Sequence, residues 1–342
     1  MIVRARAPLR LGFGGGGSDL SPFCDQYGGY VLNATINLFV YAVLEVREDG
    51  PVRFVAADRQ ESVEFEPTCD MPLDGALSLH KGVYCRIMRD FHGGRAIPLT
   101  LTTYSDVAAG SGLGSSSTLV VAMVEAFKEA LTLPLGEYDV AQLAYKIERI
   151  DVGMAGGRQD QYAATFGGFN FMEFSGDERI IVNPLRIQRN TVNELEASLV
   201  ICNTGVPRDS DAIIQAQAAN VKRGDEQSME ATHRLKQEAL SMKEVLLKGN
   251  IRRFAEVLEQ GWLCKKKTAC GVTNSNLDKI YEAAIEGGAY SGKVSGAGGG
   301  GFMMFVVDPL RRPNVFRVLR SRQVEPMTVQ FSDQGAIAWR LR

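Results

Sequence analysis

Three glycine clusters are the parts of this chain best suited to chemistry: Gly12–Asp19 (Gly-Phe-Gly-Gly-Gly-Gly-Ser-Asp), Gly110–Ser117 (Gly-Ser-Gly-Leu-Gly-Ser-Ser-Ser) and Ser295–Gly301 (Ser-Gly-Ala-Gly-Gly-Gly-Gly). Glycine permits positive φ and close approach of the backbone, so such loops can aim several N–H groups at one phosphate. Each cluster taken alone also reads as a tight turn. The middle cluster goes further, because a strand enters it and a buried helix leaves it with Ser115, Ser116 and Ser117 in its first turn. A helix N-terminus behind glycines favours an anion through its free N–H groups and its dipole. One serine would serve as an N-cap, and three in a row exceed that need. No Gly-Lys-Ser/Thr follows, which excludes an ordinary P-loop. The first and third clusters both spell G-x-G-x-x-G, at Gly12, Gly14, Gly17 and at Gly296, Gly298, Gly301. As dinucleotide fingerprints both fail on context. Pro22 and Gly28-Gly29 leave little room for a helix after the first, and the apolar run Phe302–Val307 follows the third.

Strand-like segments must frame these loops: residues 2–7, 30–46, 52–56, 62–66 and 98–104 are rich in Val, Ile, Phe, Tyr and Thr. Helical patterns follow near 75–91, 119–131 and 137–150, then strands near 167–174 and 179–183. After Pro184 the pattern becomes a strand at 197–203 and long helices over roughly 210–248, 250–264 and 275–287, before a strand, loop and strand over 290–307. The mixture predicts an α+β protein with a division near residue 185, giving domains 1–185 and 186–342. The 342 residues carry 38 basic and 40 acidic side chains, a net charge of -2, and no clustered basic excess that would suit a nucleic acid. Six cysteines without a C-x-x-C pair and three histidines argue against zinc and for reduced thiols. With no long apolar run, the expectation is a cytoplasmic protein without a membrane span.

Taken in order, the motifs resemble those of the GHMP kinases, a superfamily of small-molecule kinases. Arg6-Ala-Pro-Leu-Arg10 leading to Gly14–Asp19 is similar to its first motif, Gly110–Ser116 to its second and Lys293–Phe302 to its third. Gly156-Gly-Arg-Gln-Asp-Gln-Tyr162 resembles its catalytic-aspartate segment. The likeness is greatest to the branch that phosphorylates D-glycero-D-manno-heptose 7-phosphate at its anomeric carbon, with fucose kinases next. It implies a ribosomal-protein-S5-like N-terminal domain, a ferredoxin-like C-terminal domain and an active site between them. ATP and Mg2+ would be the cofactors, a sugar phosphate the partner and nucleotide-activated heptose for surface polysaccharide the destination. The chain would be a monomer or homodimer.

The resemblance also implies roles. Asp160 would orient the acceptor hydroxyl and take its proton, and Arg10 would stabilise negative charge on the transferred group. Gly110, Ser111, Gly112, Leu113, Gly114, Ser115, Ser116 and Ser117 would hold the nucleotide phosphates, with Ser116 and Glu148 on the magnesium. Asp19 would bind a sugar hydroxyl, with Gly15, Gly16, Gly17, Gly298 and Gly299 approaching the substrate. A phosphorylated acceptor needs a second anion pocket. Arg158, Arg208 and the Lys265-Lys266-Lys267 run are candidates, although the run also reads as a solvated helix face. Ala108 replaces a common proline, and Ser117 replaces a common alanine with no expected consequence. The open Gly14–Gly17 segment lacks the Glu-His pair of galactokinases and would admit a bulkier or phosphorylated sugar. The rival readings are a free-sugar kinase, a catalytically silent sugar and nucleotide sensor and, more distantly, a nicotinamide oxidoreductase.

Overall fold

Along the first strand, β1 (Ile2–Gly14), the side chains of Val3, Ala5, Ala7, Leu9, Leu11 and Phe13 are all buried. This period of two is that of a pleated strand; over Ala7–Leu11 the intervening Pro8 and Arg10 are buried as well, so there the strand is covered on both faces. The computed structural model describes residues 1–176, 179–205 and 210–341 of the chain. In the first half β1 is followed by α1 (Phe23–Tyr27), β2 (Gly29–Val46), β3 (Val52–Ala56), β4 (Glu61–Phe65), α2 (Ser78–Phe91), β5 (Leu99–Ser105) and α3 (Ser115–Leu131). Then come α4 (Glu137–Tyr145), a π-helical turn (Lys146–Asp151), α5 (Gln159–Phe166), β6 (Phe169–Phe174) and β7 (Ile180–Pro184). The second half holds α6 (Arg189–Ser198), β8 (Leu199–Asn203), α7 (Ser210–Lys222), α8 (Glu226–Leu247), α9 (Ile251–Lys265) and α10 (Ser275–Glu286). It closes with β9 (Ala289–Val294), β10 (Phe302–Val307), α11 (Arg312–Ser321), β11 (Pro326–Met327) and β12 (Ile337–Arg340).

Two sheets result. The larger runs β12-β1-β2-β5-β3-β4, with β6 and β7 continuing from the far end of the long β2. Only β3 and β5 pair in parallel among its described strands. The smaller sheet is antiparallel in the order β11-β8-β10-β9. With helices between its first and second and its third and fourth strands, it is ferredoxin-like. The first sheet takes strands from residues 2–184 and again from 337–340, so the chain ends back on the sheet where it began.

Between the sheets lies one apolar cluster. Leu9, Leu11, Phe13 and Leu32 from the first sheet meet Ile201 and Met304 from the second and Phe254 and Leu258 from α9. Burying this continuous apolar surface fixes the two halves against each other, and the glycine loops emerge at its margin. The expected helix over 210–248 is two helices. Gly224, at φ 67°, breaks it, and the Asp225 carboxylate caps α8 by accepting from Ser228 N at 2.8 Å. α6 lies almost wholly before the strand expected at 197–203, where no element was expected: its buried positions Thr191, Val192, Leu195 and Ser198 have helical spacing, but two of the four are polar and leave no apolar stripe. The helix expected over 137–150 widens into the π-helical turn at Lys146.

Candidate active site

α3 begins at Gly114, whose φ of 80° lets the chain turn sharply from loop to helix. No side chain caps the helix, so the serine hydroxyls are not used as N-caps. Gly110, Gly112, Gly114, Ser115, Ser116 and Ser117 line one recess of a cleft between the sheets. Ser111 and Leu113 do not. Leu113 is part of the apolar core, and its carbonyl accepts from Arg10 N at 3.0 Å, while the Ser111 carbonyl accepts from Phe302 N at 2.7 Å. These two bonds tie the second glycine loop to β1 and to the third loop. A Cβ at Gly301, where φ is 77°, would collide with the Ser111 carbonyl, so only glycine closes that junction.

Asp160 stands in the first turn of α5, facing the same recess. The Arg10 guanidinium grips one oxygen of it, Oδ1, with both Nε and Nη2 at 2.7 Å. Its Nη1 donates to the Gly112 carbonyl at 2.6 Å. Arg10 is therefore a buried strut between β1, the second glycine loop and α5, rather than a surface arginine on a strand edge. The other carboxylate oxygen of Asp160, Oδ2, lies on the side of Gly114 and has no hydrogen-bond partner among the described residues.

Glu148 is fully buried. Its Oε2 accepts from Ser117 Oγ at 2.7 Å and Gln161 Nε2 at 2.6 Å. Its Oε1 lies 3.2 Å from Arg149 Nη1, off a hydrogen-bonding line, and has no donor. Burial pushes this carboxyl above the usual carboxylate range, against the Arg149 charge and the two hydrogen bonds, which hold it down. Ser117, expected with its neighbours on the nucleotide phosphates, instead gives its hydroxyl to Glu148 and orients that carboxylate. Ser116 opens into the recess beside them. Neither Arg149 nor Gln161 was flagged by the sequence, because a helical position tells nothing of which loop it will face.

A second recess continues past Asp160 toward the first glycine loop and is lined by Gly16, Gly17, Asp19, Gln159, Lys265 and Lys293 among others. Asp19 is at its wall, but its carboxylate already accepts from Gly17 N (3.0 Å), Arg158 N (3.0 Å), Gln159 N (3.2 Å) and the Gln159 side-chain amide. It clamps the loop to the N-terminus of α5, where the dipole favours a negative charge. Gly15 packs against the Tyr30 carbonyl, and Gly298 and Gly299 sit on Val272, with Gly299 N donating to its carbonyl at 2.8 Å. These three form the backs of their loops; Gly16, Gly17, Gly296 and Ala297 face the cleft.

The cationic candidates divide sharply. Arg158 points away from the cleft: its Nη2 donates to Asp25 at 2.7 Å and Ser21 at 3.1 Å, and its guanidinium lies over the Tyr145 ring. Arg158 as a phosphate ligand is therefore corrected to a buried brace. Arg208 lies outside the described residues. Lys266 rests over Trp262, whereas Lys265 is buried and its Nζ donates to the Gly16 carbonyl at 3.0 Å. The run is not one solvated face. Beyond the second glycine loop, a third cavity of about 300 Å³ is walled in part by Leu77, Leu79, Tyr104, Val107 and Leu119 and shares Ser115, Ser116 and Met154 with the first recess.

A largely apolar cavity that adjoins a helix end suited to an anion, and an aspartate beside an arginine in the neighbouring recess, are the parts of a phosphotransferase. The chain matches the models for the GHMP kinases N terminal domain over residues 78–168 and the GHMP kinases C terminal domain over 242–325. It is 48% identical, over 99% of both chains, to D-glycero-alpha-D-manno-heptose 7-phosphate kinase of Campylobacter jejuni. Its fold superposes on the crystal structure of a D-glycero-D-manno-heptose 1-phosphate kinase from Bacteroides thetaiotaomicron with a TM-score of 0.85, at 44% identity over 99% of both chains. On Lactococcus lactis galactokinase the TM-score is 0.76 at 20% identity, covering 98% of this chain and 94% of that one, a likeness of fold alone. The chain belongs to the GHMP kinase family, whose members use ATP.

Proposed function

We propose that this chain transfers the γ-phosphoryl group of ATP to the anomeric hydroxyl of D-glycero-D-manno-heptose 7-phosphate, giving the 1,7-bisphosphate and ADP. The observation that carries the reading is the Asp160 carboxylate: Arg10 holds one oxygen twice, and the other is left toward the phosphate loop. Fixed in this way, Oδ2 accepts the hydrogen bond of the acceptor hydroxyl and turns its oxygen toward the γ-phosphorus. The new bond joins that oxygen to phosphorus as the bond to the β,γ-bridging oxygen breaks. The hydroxyl proton passes to Oδ2, and ADP carries the charge of the leaving group. Arg10 meets the negative charge gathered on the transferred group without reorganising, because Gly112 already holds it. The N-terminus of α3, with Ser115 and Ser116, receives the phosphate chain of the nucleotide. Adenosine takes the apolar 300 Å³ cavity.

The donor set also fits magnesium. Glu148 Oε1 is a buried carboxylate oxygen without a donor, and Ser116 opens into the same recess. Two oxygen ligands suffice when phosphates and waters complete the octahedron. When bound, the ion neutralises phosphate charge, while Ser117 and Gln161 keep the Glu148 carboxylate turned to meet it.

The heptose acceptor is supported by relatives at 48% and 44% identity over nearly the whole chain. One is named for a phosphate at C7 and the other for a phosphate at C1, and a kinase that takes the first and installs the second accounts for both names. We likewise read the halves divided near residue 185 as the two domains and the reaction as cytoplasmic. The test is release of ADP from Mg·ATP with D-glycero-D-manno-heptose 7-phosphate, L-fucose, D-galactose and mevalonate in parallel. Turnover of the heptose phosphate alone is expected. Turnover of a free sugar in its place would keep the kinase and remove the heptose assignment.

A further inference from the structure

Two lysines in the cleft have no role in the transfer just described. Lys265, the last residue of α9, sends Nζ to the Gly16 carbonyl at 3.0 Å. Lys293, on β9, sends Nζ to the carbonyls of Gly12 at 3.0 Å and Phe13 at 3.3 Å. Both side chains are buried, and both line the recess that Asp160 also lines. Neither forms an ion pair with a carboxylate among the described residues. An ammonium has three N–H donors, so Lys265 keeps two and Lys293 one beyond their carbonyl bonds. A buried unpaired ammonium is costly, and two in one recess repel each other as well. Such a pair persists where a ligand supplies the missing charge.

We propose that Lys265 and Lys293 together bind the phosphate that the acceptor already carries, in the recess that Asp160 also lines. The proposal rests on the reading of the acceptor as a sugar phosphate, and it names the part of the protein that selects for it. The charges along this wall support it. Arg10 is matched by Asp160, and Asp19 is held by three backbone N–H groups and an amide. The two ammoniums face the recess with Asp19 attracting Lys265 and Glu238 attracting Lys293, neither as an ion pair, while Arg10 repels Lys293. Gly16 and Gly17 leave the approach open where a side chain would meet Lys265: a Cβ at Gly17 would come within 2.9 Å of its Nζ. Burial also brings both groups into a physiological range, Lys265 down to about 8 and Lys293, beside Lys265, down to about 7. An arriving phosphate favours the charged forms, so binding takes up protons, and affinity falls as pH rises through 7 to 8.

The test is calorimetric titration of inorganic phosphate into the full chain saturated with Mg·AMPPNP, which occupies the nucleotide phosphate site. The parent is expected to bind phosphate with proton uptake at pH 8, read from the dependence of the heat on buffer ionisation. Lys265→Met and Lys293→Met are each expected to lower phosphate affinity at least about tenfold, the scale of a lost charged hydrogen bond. In steady state they should raise KM for heptose 7-phosphate by a similar factor, well beyond any change in KM for ATP. Thermal melts establish that the variants fold, and the proton uptake of the parent needs no variant. Equal phosphate affinity in parent and both variants, or binding without proton uptake, would overturn the proposal. Phosphate binding that depends on both lysines, in a parent that does not phosphorylate the heptose, would support the anion pocket and remove the heptose assignment instead.

Discussion

Replacing Arg10 by methionine removes one cation and three charged hydrogen bonds from the centre of the cleft, and its consequences can be worked out from the geometry. The guanidinium meets Asp160 Oδ1 twice at 2.7 Å and the Gly112 carbonyl at 2.6 Å, with only 5% of its side chain exposed. Breaking a buried pair by deleting one partner costs about 3–5 kcal/mol. Asp160 is 20% exposed and recovers part of its hydration, which brings the expected loss to about 2–4 kcal/mol. An unfolding entropy of about 2.1 cal/mol/K per residue over the whole chain converts that into a fall in Tm of roughly 3–6 °C. The catalytic loss is separate. Oδ1 loses its anchor and the transferred group loses its preorganised cation, so kcat should fall about 10²- to 10³-fold. Arg10→Lys keeps the charge but cannot hold Asp160 and Gly112 at once, and should recover only part of the rate. A coupled ADP-release assay and a calorimetric melt read the two effects independently. If Arg10→Met keeps kcat within about threefold of the parent, Arg10 neither orients Asp160 nor stabilises the transition state, and the proposed mechanism fails.

Asp160→Asn removes the proton acceptor while keeping the shape; kcat should drop at least about 10²-fold with nucleotide affinity intact, and a near-normal rate would take the carboxylate out of the chemistry. Ser117→Ala leaves Glu148 Oε2 with Gln161 alone, so the Mg2+ concentration for half-maximal rate should rise several-fold, by about tenfold at most. An Mg2+ titration that superposes on the parent's would disconnect Ser117 from the metal. The lysines also make stability depend on pH. Their folded pKa values, about 8 for Lys265 and about 7 for Lys293, lie below the unfolded value, so the unfolded chain binds more protons above pH 7 and their contribution to stability rises with pH there. The buried thiols of Cys24 and Cys202, pushed up to about 12, act in the opposite sense above the ordinary thiol range. Denaturant midpoints of the parent and of Lys293→Met should therefore be compared between pH 7 and 9. The parent should gain relative to the variant, and parallel curves would contradict a depressed Lys293.

Much of the arrangement was legible because it is local. Period-two burial in β1, the glycines before α3 and the apolar run of α3 itself are written in consecutive residues, and each dictates its element without help from the rest of the chain. The motifs could likewise be read as phosphate loops, because positive φ and free N–H groups are properties of a few neighbouring residues. Boundaries that depend on a single glycine, as between α7 and α8, were less visible, since Gly224 and Asp225 also fit a helix interior at some cost.

What the sequence determined by itself was the supply of parts: the glycine loops and the strands and helices that carry them, with Asp160, Arg10 and Glu148 singled out as candidates through the family motifs. Only the tertiary structure decided which side chains meet. Arg158 and Lys265 look alike as basic residues beside polar neighbours, yet one braces Asp25 behind the cleft and the other opens into it. Ser117 and Glu148 are 31 residues apart and share a hydrogen bond. Lys293 and Gly12 are 281 apart and share another. Such contacts form because the core packed on the first sheet sets how α3 meets the π-helical turn, and the apolar core between the two sheets sets the angle at which the loops converge. That angle comes from packing summed over distant segments, and no local stretch of the chain encodes it.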